Sequence, residues 1–236
     1  METKIFTLAL TVFCIIAAIF IFKQGFRNSL LSEKHQRNKL ICIVLGILGW
    51  ILFISTLALT GFIQDWNSFP PKIFLTVLLP ALASVLFTIF SGSADQLIKG
   101  IDGRFLVYIQ SFRILVEILL WMMLKEGLIP VQMSFEGRNF DILVGLTAPL
   151  AGYFIYRNPF MINRPLLLCW NLFGLGLLLN IVTLAILSTP VSFRVFMNEP
   201  SNTIIARFPG VFIPGVFVVL AYTMHFMSIR KWYIEK

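Results

Sequence analysis

An arginine and a glutamate four residues apart, Arg113 and Glu117, stand inside a segment otherwise apolar enough to cross a membrane; residues 110–121 read QSFRILVEILLW. At about 100° per residue, Gln110, Arg113, Glu117 and Trp121 share one helical face roughly 80° wide. Ionisable groups at membrane depth cost on the order of 2.5–3.5 kcal/mol each on insertion scales, and they face a bundle interior. Two kinds of chemistry fit such a face. An i, i+4 pair of opposite charge can neutralise itself as a buried ion pair, with Gln110 completing the hydrogen bonds. Alternatively the guanidinium holds an anionic group while the carboxyl tunes it or exchanges a proton, as charged groups along transport paths do.

Few other polar groups reach that depth. Tyr222 and His225, three apart on the last apolar segment, share a face, and Asn171 lies at a similar level on the segment before it. Gln110, Arg113, Glu117, Asn171, Tyr222 and His225 are therefore the candidate ligand-binding residues. Asn180 is nine residues beyond Asn171, about 180° around the helix, so the two cannot line one cavity. A second group, Glu136, Arg138, Asn139 and Asp141, precedes an apolar run and reads as an outer loop. Asn139 is placed to cap the following helix, with Asp141 in its first turn favoured by the helix dipole. Glu136 and Asp141 make an outer carboxylate pair suited to a cation or to acid–base work.

These groups need apolar helices to position them, and the chain supplies seven. The expected spans are residues 5–22, 40–62, 73–92, 105–124, 141–156, 166–187 and 209–228, each near the roughly 20 residues needed to cross, with 141–156 short and holding Pro149. Thr76, Pro80, Ser84 and Thr88 recur every four residues along the third, a ridge of small residues that lets a neighbouring helix approach closely. Residues 23–39, 157–165 and 188–208 read as polar loops. Pro209-Gly210 and Pro214-Gly215 predict a kinked start to the seventh span.

Composition agrees with this reading. Of 236 residues 58% are hydrophobic and 13% charged, against about 25% charged in a soluble domain. The net charge of +8 comes from basic clusters between apolar segments rather than from one basic face, which excludes a nucleic-acid surface. Twelve of the 19 Lys and Arg fall after spans one, three and five and at the C-terminus, six on the other side, so the N-terminus is expected outside and the C-terminus in the cytoplasm. Cys14, Cys42 and Cys169 lie in or at the ends of apolar segments and form no disulfide framework.

Only two histidines occur, and only His225 lies in a span, too few for a multi-histidine di-iron centre or a bis-histidine haem. The last span has no lysine for a retinal Schiff base. No metal or other cofactor is expected. The expected fold is all-α, a single polytopic bundle of seven transmembrane helices in the cell (inner) membrane, with the lipid bilayer as its surroundings. The expected role is binding or transport of a small molecule or ion through the polar centre on the fourth span. A membrane-embedded enzyme on a lipid-like substrate, with Glu136, Asp141 or His225 as acid–base residues, is the alternative from another class; an accessory or sensory subunit is a third.

Overall fold

The computed structural model describes residues 1–158 and 162–235, with side chains for all of these except Ile89 and Ser93. Part of the expected 157–165 turn, residues 159–161, and the terminal Lys236 lie outside the described residues. All regular structure among the described residues is helical.

Helix α1 (Glu2–Arg27) and α2 (Glu33–Leu59) form a hairpin of two long apolar rods, about 39 and 40 Å at 1.5 Å per residue. Helix α2 starts seven residues before the expected boundary. Ser32 precedes it in an extended conformation, its carbonyl accepts from the Gln36 amide at 2.9 Å, and its hydroxyl meets His35 Nδ1 at 2.7 Å. The polar stretch from Glu33 to Lys39 is therefore the first two turns of a helix rather than a loop.

The third apolar segment is a π-helical turn (Phe74–Leu78) followed by α3 (Leu79–Phe90). Pro80 has no amide to give the Thr76 carbonyl, and the ladder shifts register, with Leu79 N–H bonding Phe74 O. A second π-helical turn (Ile213–Phe217) opens the last segment at Pro214 before α9 (Val218–Ile234), so the expected irregular start takes the form of a register shift in the ladder. Helix α9 outruns the expected end of the span by six residues and carries Arg230 and Lys231 on its last turns. Arg230 meets Asp95 at 2.5 Å and the Thr88 and Ser91 carbonyls, and Lys231 bonds the Lys99 carbonyl at 2.9 Å.

Short α4 (Asp95–Gly100) leads to α5 (Gly103–Tyr108), which Asp102 caps by accepting from the Arg104 amide at 3.0 Å. A 3₁₀ turn, Ile109–Ser111, joins α5 to α6 (Phe112–Lys125), and together they make one 23-residue apolar rod. Helix α7 (Ile142–Tyr156) is 15 residues long, about 22 Å, shorter than a bilayer core of about 30 Å. Helix α8 (Arg164–Leu187) is capped by Asn163, whose side chain accepts from Leu166 N–H at 3.2 Å. Among the described residues, five helices or helix pairs are long and apolar enough to cross a membrane: α1, α2, α5–α6, α8 and the one ending in α9; Phe74–Thr88 and α7 are shorter apolar helices.

The core gathers around α9, which packs on α3, α4, α5 and α8. Helix α2 is the opposite case: only 6% of its apolar window is buried, so it stands at the edge of the bundle with most of its surface outward. The expected Thr76–Thr88 ridge does not hold a neighbouring helix. Pro80 and Ser84 are exposed, and the hydroxyls of Thr76, Ser84 and Thr88 bond carbonyls of their own helix. Ala81 and Val85, on the next face, are the buried ones.

Residues 188–208 form a polar loop, as expected, with a largely exposed middle and buried residues toward both ends. Ser188, Thr189, Asn202, Ile205 and Ala206 are buried. Gln132 Nε2 donates to Ser188 Oγ at 2.8 Å, and Asn202 Nδ2 to the Ala185 carbonyl at 3.0 Å. The three cysteines are free, Cys14 buried and Cys42 and Cys169 exposed.

Candidate functional site

The polar centre forms where the chain after α6 turns back along it. Gly127, at φ +66, ends the helix: its amide bonds the Leu124 carbonyl at 3.0 Å and Leu128 N–H bonds Met123 O at 2.9 Å. That paired pattern at a left-handed residue reverses the chain, and glycine takes this φ without Cβ strain. Ile129, Gln132, Met133 and Ser134 are then buried rather than solvated.

From Glu136 onward the chain runs down the polar face of α6 about one helical turn at a time. Glu136 accepts from the Trp121 indole at 2.7 Å and pairs with Lys125 at 2.8 Å. Asn139 Nδ2 donates to Glu117 Oε1 at 2.6 Å and to the Met133 carbonyl at 3.1 Å. Asp141 takes Arg113 with both oxygens, Arg113 Nε to Oδ2 at 2.6 Å and Nη2 to Oδ1. Residues expected together on an outer loop thus separate. Glu136 and Arg138 are exposed, whereas Asn139 and Asp141 are buried at the depth of Glu117 and Arg113.

This corrects two expectations. Arg113 and Glu117 do not neutralise each other, because Arg113 pairs with Asp141, two elements away in sequence. A carboxylate arriving from another segment can meet the guanidinium edge-on with two parallel bonds, which is the favourable geometry for this pair. Nor does Asn139 cap α7. The N-cap residue is Asp141, whose side chain makes no cap bond, while Asn139 Oδ1 accepts from the Asp141 amide at 3.0 Å and its amide group serves Glu117.

On its other side Arg113 reaches α8 and α9. Nη1 donates to His225 Nε2 at 3.0 Å, and Nη1 and Nη2 share the Gly174 carbonyl at 3.4 Å each. All five guanidinium N–H groups then face acceptors. Because arginine offers only donors, His225 Nε2 accepts and the ring proton lies on Nδ1, which donates to Asn171 Oδ1 at 2.9 Å. Asn171 Nδ2 donates in turn to Ser228 Oγ at 3.1 Å and to the Leu167 carbonyl at 2.8 Å. A continuous polar chain crosses the bundle: Asp141, Arg113, His225, Asn171, Ser228. It needs a close approach of α8 to α9. A Cβ on Gly174 would lie 2.5 Å from His225 Nε2, so only glycine fits.

The six candidate residues do not all join this chain. Arg113, Asn171 and His225 do; Glu117 is linked through Asn139. Gln110, in the 3₁₀ turn between α5 and α6, donates instead to the Ala221 carbonyl at 3.1 Å. Tyr222 is half-buried and stacks on Phe226. Arg138 lies apart, over the Phe196 ring at 5.6 Å, with its carbonyl accepting from Asn180. Asn171 and Asn180 do face different surroundings. Asp141 in this role, Gly174 and Ser228 are residues the sequence reasoning did not place at the centre. The one available signal was arithmetic: a buried Arg and a Glu need further partners, and Asp141 borders an apolar run.

Beyond the end of α6, the Glu136 carboxyl is held below the usual carboxylate range by the Lys125 ammonium bonded to it and then by the Trp121 indole. No group of three or more potential metal ligands occurs among the described residues. His225 has both ring nitrogens committed, and Cys42 and Cys169 lie on separate helices. Among the described residues, two buried acceptors on the α5–α6 rod have no partner: Glu117 Oε2 and Gln110 Oε1.

The model of a family described as a domain of unknown function, DUF8737, matches residues 70–232. The chain belongs to this family. The match takes in every residue of the polar centre and leaves out the α1–α2 hairpin. Comparison with characterised proteins and with solved structures gives no match.

Proposed function

We propose that this DUF8737 member is a seven-span integral membrane protein of the cell (inner) membrane, N-terminus outside and C-terminus cytoplasmic, that binds or carries a proton or small cation at Glu117. The span count rests on five long apolar helices plus the two shorter ones. The orientation rests on the excess of Lys and Arg on one side. Helix α7 is short because residues 129–141 occupy the other half of its crossing. Non-helical backbone at that depth is tolerated where protein encloses it.

One observation carries the choice of ligand. Arg113, His225, Asn139 and Asn171 have acceptors for their side-chain donors, while Glu117, 1% exposed, keeps one carboxyl oxygen without a donor among the described residues. An unmet buried acceptor costs about 1–3 kcal/mol, so what the site lacks is a positive charge or a proton. An anion at Arg113 draws less support, since it would have to displace Asp141. The enzymatic reading also draws less, because Asp141 and His225 are committed and Glu136 is an exposed ion pair with Lys125.

The test is ion flux in proteoliposomes holding a pH-sensitive dye, under an imposed proton or sodium gradient. Wild-type protein should dissipate one of the gradients, and Glu117→Gln, which can still accept from Asn139, should fold and abolish the flux. Equal flux in wild type and variant, or none in wild type, overturns the reading.

A further inference from the structure

A cavity of 1040 Å³ lies between α2 and the bundle, on the side away from the polar centre. Helix α2 is anchored at its far end, where Ile54 and Ala58 pack with Ile73, Val77, Val211 and Phe212, and the Trp50 indole donates to the Gly215 carbonyl at 2.8 Å. Below Trp50 the same face, Lys39, Cys42 and Gly46 at helical spacing, looks into the cavity rather than onto a neighbour. A methyl added at Gly46 would meet no atom within 4 Å. The exposed Ser84 of the unpacked α3 ridge forms part of the opposite wall.

This space is at the upper end of small-molecule sites, which run about 300–1,000 Å³. Its wall is almost wholly apolar, so water has few partners there. Its hydroxyl groups are Ser84, Thr88 and Thr223, and its one charged group, Lys39, lies with Asn38 near the start of α2. Lys39 makes no hydrogen bond or ion pair among the described residues. Lys23, Arg27, Lys34 and Arg37 are exposed on the helix ends beside it, against the single Glu33. An apolar chamber open to the side with a cationic rim is complementary to an amphiphile with a negative head.

We propose that this cavity is a binding site for an anionic phospholipid of the surrounding bilayer, its acyl chains beside Gly46 and its phosphate at Lys39 and Asn38. The site uses none of the residues at Glu117 and stands whether or not the ion reading does. In the orientation above, its Lys39 end faces the cytoplasmic leaflet, where anionic lipid attracts basic segments.

Two native cysteines provide the test, with Cys42 on the cavity wall and exposed Cys169 as internal control. Purified full-length protein in mild detergent is alkylated with a small maleimide while phosphatidylglycerol or phosphatidylcholine is added. At phosphatidylglycerol ten times its dissociation constant, Cys42 should react about tenfold more slowly and Cys169 at an unchanged rate. Lys39→Gln should weaken the affinity about fivefold, the attraction of one lysine, leaving about threefold protection at the same lipid concentration. Three results overturn the site as proposed: no protection of Cys42, equal protection by phosphatidylcholine, or protection without added lipid in a protein that runs as a dimer.

Discussion

The two sides of the molecule solve the same problem in opposite ways. On the α6–α9 side, charged groups inside apolar helices are enclosed by partners from four segments, and Arg113 has an acceptor for every donor. On the α2 side, an apolar surface is left open, and small residues face space instead of a helix. Polar groups in a low-dielectric interior must be satisfied from within the protein, because each unpaired one is costly. Apolar surface faces no such demand, because the bilayer itself can cover it. Close packing is therefore concentrated where the charges are.

That contrast predicts a steep gradient of mutational effect across the bundle. Asp141→Ala should be the most damaging single change, costing about 3–5 kcal/mol, because it strands a buried guanidinium. Thermal unfolding in detergent would show it, and a loss near zero would mean Arg113 is paired otherwise. Gly174→Ala comes next, at about 1–3 kcal/mol, since the new methyl pushes His225 off Arg113; the same melts would register it. On the open side Gly46→Ala should change stability by less than about 0.5 kcal/mol, or raise it by favouring the helix. A large loss there would show that α2 is packed as tightly as the centre.

The smallest effect concerns pH. Glu136 is held below its usual value by Lys125, so its ion pair contributes above the unfolded carboxyl pKa of about 4.3. The contribution fades as pH falls through the lowered folded value. Comparing wild type with Glu136→Gln should therefore show a slight stability difference at pH 7 that shrinks at acid pH; a difference that grows on acidification would contradict the pairing.

The apolar segments were legible because most are long and because, apart from Arg113 and Glu117, their interiors hold no Asp, Glu, Lys or Arg. Their edges were less so. The start of α2 looks like a charged loop because Glu33 to Lys39 are polar on every side, yet that stretch continues an apolar rod and needs no buried face. The meeting of Arg113, Asn171 and His225 was anticipated, since isolated polar groups in apolar helices seek each other. The descent of residues 129–141 was hidden. Gln132, Ser134, Asn139 and Asp141 carry the composition of a solvated loop, and only the charges on α6 call them inside. For the same reason the local Arg113–Glu117 pair looked sufficient. Spacing along one helix is visible in a sequence, whereas a bidentate partner arriving from another segment is not.

In this structure Arg113 is bound by Asp141 and not by the neighbouring Glu117. A pair of double-mutant cycles on unfolding free energy, Arg113→Met with Asp141→Leu and Arg113→Met with Glu117→Leu, tests it most directly. The structure predicts a coupling of about 3 kcal/mol or more in the first cycle, with the double variant much more stable than Asp141→Leu alone, and under about 1 kcal/mol in the second. The opposite ranking would contradict it.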